Sequence, residues 1–468
     1  MSRLRSTVEV LARDEVQAIH EASLRILATT GLGIPHEACL ERCRAQGAVV
    51  DADRQVARFP VEVMEQFLAA VRSAAPSAGD PMERSPLRGD ISTQIHVVDY
   101  ASRSRRPGTS RDILRGIALV DHLANIPRSN AVCVPADVDP RVSDLHAFRL
   151  LYRYSRKPGG TYILTPRTAA CIMDMADALG RRESYLLETV SPLRYRRETL
   201  EMALAFAGRR HGLAIAPMVM GGTTGPVTLA GTCTLMNTEV LGSLFVCHAL
   251  SGDLPGFYVH GSHAADPRNL LCSFGSPSQS LLGIATAQLG AFYGLPAGSN
   301  AGLSDALQPD FQCGMEKLSS AIFSGLAGTV QIGCQGIAGA DQGFSFEQLV
   351  LDNEWLDAYN FVVAGFAADR DAIAEDLIAA VGIGGAFVAE AHTARHLRAS
   401  WWDSDLFPRA GWDAWTSRGG ETSLERAHRR VEELTSGWET MPPVLSGRQA
   451  DDIERIAERG MRGILERG

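Results

Sequence analysis

Two histidine pairs, a glycine-rich loop and a scatter of tyrosines, acids and amides are the groups of this chain with chemistry to offer. His260 and His263 stand three apart in His-Gly-Ser-His, and His392 and His396 stand four apart, one helical turn, as metal ligands often do. Neither pair encloses the glutamate that a His-Glu-Xaa-Xaa-His zinc motif requires, so no metal is assigned to them. Cys247-His248 lies in a long apolar run and reads as core. Gly221-Gly222-Thr223-Thr224-Gly225 has the glycine content of a phosphate cradle, yet no Lys or Arg stands beside it. It turns the chain, or it lets a large planar cofactor approach the backbone at Gly221, Gly222 and Thr223.

The elements that would position these groups begin with an amphipathic helix at 14–30, a short helix at 36–46, a strand at 56–59 and a helix at 61–71 that Pro60 opens. Residues 75–90, rich in Pro, Gly and Ser, read as a linker. Beyond it, apolar runs at 91–98, 130–135, 160–164, 213–219, 256–261, 297–301 and 329–333 read as strands. Helical stretches separate them, including 111–124, 169–179, 199–210, 230–250, 278–293 and 314–327. An eighth strand is placed at 383–388. Such alternation implies a parallel sheet covered by helices, and about eight units in succession predict an α/β fold of the TIM type, a closed (β/α)8 barrel. The expected division is a mainly helical segment over 1–85, the barrel over 86–420 and a helical extension packed on it over 421–468. Trp401, Trp402, Trp412 and Trp415 are expected to anchor the C-terminal part.

Barrels of this type work at the C-terminal ends of their strands. That rule selects Asp99 and Tyr100, Asp137 and Asp139, Tyr162, Tyr258 with His260, Leu303 to Asp305 with Gln308, and then Cys334, Gln335, Gly336, Asp341, Gln342 and Phe344. Aromatic faces among acids and amides suit an organic cation. A quaternary ammonium has no N–H to donate, so ring faces and carboxylates must hold it.

Composition narrows the partners. A net charge of -9 on 468 residues argues against nucleic acid, which selects clustered Lys and Arg. Nine scattered cysteines without a CxxC pair point away from a disulfide framework and toward a reducing compartment. The first residues lack the apolar core of a secretory signal. No run of roughly 20 apolar residues escapes charges or breakers, so no membrane span is expected. The expectation is a cytoplasmic protein.

Several longer stretches carry a resemblance. The run from Ile19, IHEASLRILATTGLGIPHEACLERC, is similar to the opening of the trimethylamine methyltransferase family. TGPVTLAGTCTLMNTEVL at 224–241, GSPSQSLLGIATAQLGAFYGLP at 275–296 and FSFEQLVLDNE at 344–354 resemble it too, as does VGIGGAFVAEAHTARHLR at 381–398. Archaeal members carry pyrrolysine in the loop between the Gly-Leu-Pro and Ser-Asp-Ala motifs. Here that loop runs from Gly294-Leu295-Pro296 to Ser304-Asp305-Ala306, and the pyrrolysine position falls on Leu303.

The resemblance implies methyl transfer to the cobalt(I) of a corrinoid carried by a separate small protein, with no cofactor held tightly by this chain. The departure at Leu303 implies a quaternary amine, such as glycine betaine, rather than trimethylamine. Leu303 and Asp305 then form the reaction-side wall, Leu303 as an apolar surface and Asp305 balancing the cation together with Asp341. Tyr100, Tyr162, Tyr258 and Phe344 would cage the ammonium, and His260, Gln335 and Gln342 would bind a carboxylate at the other end. A homo-oligomer is also expected. A betaine-binding barrel without activity and a zinc-dependent corrinoid methyltransferase are the competing readings.

Overall fold

In the computed structural model, residues 4–75, 82–333 and 335–466 are described; Cys334 and residues 76–81 of the expected linker lie outside them. Parallel ladders join Tyr258–Val259 to Ala297–Ser299, Ala297–Ser299 to Thr329–Ile332, and Thr329–Ile332 to Arg88–Gly89. The last pairing brings the final barrel strand back to the first, which closes the cylinder. Around the rest of the wall, Ser184–Leu187 pairs in parallel with Gly212–Ile215. Parallel bridges link Gln94 to Cys133 and Ser129 to Pro158. Gly261 N–H donates to Pro217 O over 2.8 Å. The fold is the expected TIM-type barrel.

Three strand assignments change. The single strand expected at 91–98 is two pieces: Arg88–Gly89 belongs to the wall, whereas His96–Asp99 forms an antiparallel hairpin with Ser104–Pro107. Ser184–Leu187 was missed because charged residues (Arg181, Arg182, Glu183, Glu188) bracket only four residues of strand. The eighth strand expected at 383–388 is a turn, with Ile383 and Val388 fully in solvent. Ser184–Leu187 completes the count of eight instead, and Thr329–Ile332, already expected, is the last strand.

Large branched side chains usually fill the interior of such a barrel. Here the inward positions include Gly160, Ser184, Ala214, Ala216, Gly298 and Gly333, and a cavity of about 960 Å³ remains. The core lies instead between wall and helices. Helix Leu229–Ser251 is the centre of its larger half, apolar on nearly every side. By length and composition it could cross a membrane, but most of it is buried inside the protein, so it is a core helix. The N-terminal helix Arg13–Thr29 packs its Ile19, Leu24 and Leu27 against it. Beside them sits a small antiparallel sheet of Leu32–Gly33, Val56–Arg58 and Val49–Asp51.

At the other end of the chain, helix Gly447–Leu465 buries Ile453, Ile456, Ala457 and Ile464 against Ser143–Tyr154 and Pro166–Ala178. Helix Ser423–Leu434 packs on Phe346–Ala364. Between these lie four short helices, Arg370–Ile373, Glu375–Val381, Ala391–Ser400 and Trp412–Ser417, none with a buried residue. Trp401 and Trp412 are exposed, Trp412 with its ring centroid 5.1 Å from that of Trp415; Trp402 and Trp415 are tied by indole hydrogen bonds to Asp357 and to Glu421 O.

The eight described cysteines are free. Burial pushes the thiols of Cys39, Cys43, Cys233, Cys247 and Cys272 up to about 12 and that of Cys313 to about 11.

Candidate active site

The cavity opens at the C-terminal ends of the strands, where Tyr162, Glu188, Met218, His260, Asn300 and Asp341 line it with Phe274 from the following loop. Its residues arrive there by strand alternation, since every second side chain faces inward. Burial raises the carboxyl groups of Asp341 and Glu188 above the usual range. Asp341 accepts from Gln94 Nε2 over 2.6 Å, and Arg196 opposes the rise at Glu188. Burial also raises Asp90 and Glu183 on the same lining, where Arg128 and Arg181 stand against them; Asp341 and Glu188 are the acids left to favour a cationic occupant, whose charge offsets the cost of their burial.

The two histidines of the His-Gly-Ser-His stretch are fully engaged. Thr286 Oγ1 donates to Leu282 O, so it accepts from His260 Nε2, and His260 Nδ1 accepts from Ser262 N–H over 2.9 Å. His263 donates through Nδ1 to Gln279 Oε1 over 2.8 Å and accepts Asn300 Nδ2 at Nε2 over 2.9 Å. Both rings are therefore neutral, and burial holds them down, to about 3 at His260 and about 4 at His263. Every ring nitrogen has a partner, which leaves no lone pair for a metal. These imidazoles fix the wall geometry; Asn300 is the group they aim into the hollow.

Of the residues selected by sequence, Tyr162, His260 and Asp341 line this cavity. The others do not meet there. Tyr258 points out of the barrel, stacks on Tyr293 and donates its hydroxyl to Asn237 Oδ1 over 2.9 Å. Phe344 is core, packed edge-on against Phe346. Tyr100 stacks on His428 at 3.8 Å between centroids. Gln342 pairs with Arg105 at the surface. Gln335 is buried and donates to Gly333 O over 2.7 Å. The expected cage is therefore corrected: one strand's alternation sends Tyr258 outward as it sends His260 inward, and Phe344 sits on a short hairpin whose face belongs to the helix layer.

Leu303 and Asp305 build the rim rather than the lining. Leu303 is fully buried with Phe274 and Ile337. Asp305 accepts Phe274 N–H over 2.7 Å, Gly275 N–H over 3.1 Å and Ser273 Oγ over 3.0 Å. It holds the loop that carries Phe274 to the mouth. Beneath the same rim, Lys317 Nζ donates to Gly302 O and to Asp352 Oδ2, both at 3.0 Å, with neither side chain exposed. Asp352 also accepts Gly336 N–H over 2.7 Å, so one ion pair ties two adjacent strand-end loops.

The Gly221-Gly222-Thr223 stretch is a turn: Met220 O accepts the N–H of Thr223, Thr224 and Gly225, and Gly222 has φ +95. Met220–Gly221 pairs in parallel with His263–Ala264 beside the mouth.

Sequence reasoning missed Glu188, Met218, Phe274 and Asn300. Met218 and Asn300 stand in runs read as strands, each two residues beyond another inward position, Ala216 and Gly298, but the runs alone do not say which face turns inward. Glu188 was lost with its strand, and no local signal marks Phe274.

The family model described as trimethylamine methyltransferase matches residues 1–462. The chain belongs to this family. Among relatives, it is 27% identical to the glycine betaine methyltransferase of Desulfitobacterium hafniense, over 98% of this chain and 99% of that protein. It is 30% identical to a trimethylamine methyltransferase of Methanosarcina barkeri, over 98% and 97% of the two chains. The crystal structure of the Methanosarcina barkeri monomethylamine methyltransferase superposes with a TM-score of 0.51 at 10% identity, covering 99% of this chain and 90% of that one. That likeness supports the trimethylamine methyltransferase family member's barrel fold.

Proposed function

We propose that this chain moves a methyl group from a quaternary amine of the betaine class to the cobalt(I) corrinoid of a partner protein. The observation that carries the reading is the pair of desolvated carboxylates, Asp341 and Glu188, facing a hollow whose histidines are neutral and fully hydrogen-bonded. The relative named glycine betaine methyltransferase, similar along its whole length, supports it. So does Leu303, an inert side chain at the loop position to which the resemblance assigns the pyrrolysine of archaeal family members.

The corrinoid, when docked, supplies a nucleophilic metal. This chain's residues fit that chemistry, because a quaternary nitrogen leaves as a neutral tertiary amine and no proton has to move. Asp341 and Glu188 balance the cation, while Tyr162 and Phe274 present ring faces to it. Arg196, on the same cavity wall, offers a cation to a betaine carboxylate. Asn300, fixed by His263, orients the ligand, and Phe274 with the Leu303 rim excludes water. The turn at 220–225 is the place we assign to contact with the corrinoid-bearing partner.

A direct test mixes the purified chain with cob(I)alamin and a panel of methylated amines and follows the visible spectrum. Methylation of the cobalt by one betaine and not by trimethylamine is the expected result. Transfer from trimethylamine would overturn the reading of Leu303. Betaine binding without transfer to any corrinoid protein, the natural partner included, would make this a binding barrel.

A further inference from the structure

The arm at 370–400 folds back so that a residue distant in sequence joins the second histidine pair. His392 and His396 lie one turn apart on helix Ala391–Ser400, with ring centroids 4.4 Å apart. Asp371, from helix Arg370–Ile373, meets them: its Oδ2 accepts His396 Nε2 over 2.8 Å, and its backbone O accepts His392 Nε2 over 3.0 Å. One ligand atom from each of the three side chains lies within 4.8 Å of the others. Arg395 Nη2 also reaches Asp371 Oδ1, at 3.3 Å.

We propose that Asp371, His392 and His396 form a structural site for a divalent transition metal of the zinc class, which clips the arm together. Two imidazoles and one carboxylate make three ligands of a tetrahedral zinc centre, and solvent supplies the fourth at this exposed position. A tetrahedral zinc centre holds its ligand atoms about 3.3 Å apart; these lie within 4.8 Å of one another, so rotation of the side chains closes the site without moving the backbone far.

A second, independent observation is the construction of the arm. Its helices Arg370–Ile373, Glu375–Val381 and Ala391–Ser400 bury no residue, while Ile373, Ile378, Ile383, Val388 and Leu397 are exposed. Pieces this small have no core to offset their chain entropy, and a metal is one of the staples that does so. Arg395 is exposed, and its ion pair contributes little that the metal must displace.

The test strips the full chain with a chelator and titrates it with zinc, then with cobalt(II) as a spectroscopic probe. One zinc per chain is expected, with a visible cobalt spectrum. His392→Ala and His396→Ala each weaken binding by about 100-fold or more, since even outer-shell changes cost 10–100-fold. Neither histidine is in the core, so the variants fold. Zinc also slows tryptic cleavage within 370–400 in the natural chain and leaves the double variant unprotected. Failure of the natural chain to bind zinc, or equal binding by the double variant, overturns the site. Binding without protection from trypsin overturns the clip.

Discussion

Gln94 donates its side-chain amide to Asp341 over 2.6 Å, joining the start of the barrel wall to the loop that follows its last strand. The contact holds a carboxylate, raised by burial, at the edge of the cavity. Asp341→Asn keeps an oxygen for Gln94 and removes the charge. It is expected to raise the Kd for a betaine about tenfold, roughly 1.4 kcal/mol, with thermal stability unchanged or higher. Calorimetry with unaltered affinity would take Asp341 out of the site.

Tyr162 and Tyr258 should separate cleanly. Tyr162→Ala removes a ring face from the hollow, and a cation–π contact there is worth about 2 kcal/mol. Tyr258→Phe removes only the hydrogen bond to Asn237, at a cost of about 1 kcal/mol of stability. Titration of both variants with one betaine should show weaker binding in the first alone. The reverse order would restore the cage expected from sequence.

Stability should fall as the solution is acidified from about pH 6.5 toward pH 4, through His263. In the unfolded chain an imidazole protonates near 6.5; in the fold His263 stays neutral until about pH 4. The unfolded state therefore binds the extra proton first, and stability present in full above pH 6.5 is lost below it. The raised carboxyls of Asp341 and Glu188 push the opposite way. Urea unfolding of the natural chain and of His263→Gln at pH 7.5 and pH 5 isolates the term: the natural chain should lose more. An equal pH response in both would contradict it.

Breaking the buried pair beneath the rim should be expensive. Lys317→Met leaves Asp352 charged and unmatched, at a cost of about 3–5 kcal/mol. Urea unfolding reads this directly. Addition of Asp352→Leu to Lys317→Met should recover part of the loss, and a double variant no better than the single would show that the hydrogen bonds to Gly302 and Gly336 matter more than the charge.

The barrel was legible because strand and helix periods differ and alternate over some 240 residues. Its start and finish were not. Arg88–Gly89 carries no apolar pattern, and the hairpin at His96–Asp99 looks more like a strand than the wall segment does. Of the residues placed at strand ends, Asp341, His260 and Tyr162 line the cavity, whereas Tyr258 faces away from it, because a side chain's face depends on register, which its own apolar run does not reveal. Phe274 reaches the mouth only because Asp305 holds its loop, a contact between residues 31 apart in sequence. The histidines of the arm were visible as a pair, but Asp371, about 20 residues upstream, was not.

The cysteines have a bearing on selectivity toward electrophiles. Attack on a methyl carbon needs a thiolate, and thiols held near 12 supply almost none at neutral pH. Among the described cysteines, Cys272 packs beside Leu303 and Phe274 at the rim, and it too is held in the protonated form. A scaffold built this way can keep a reactive N-methyl group beside sulfur without alkylating itself.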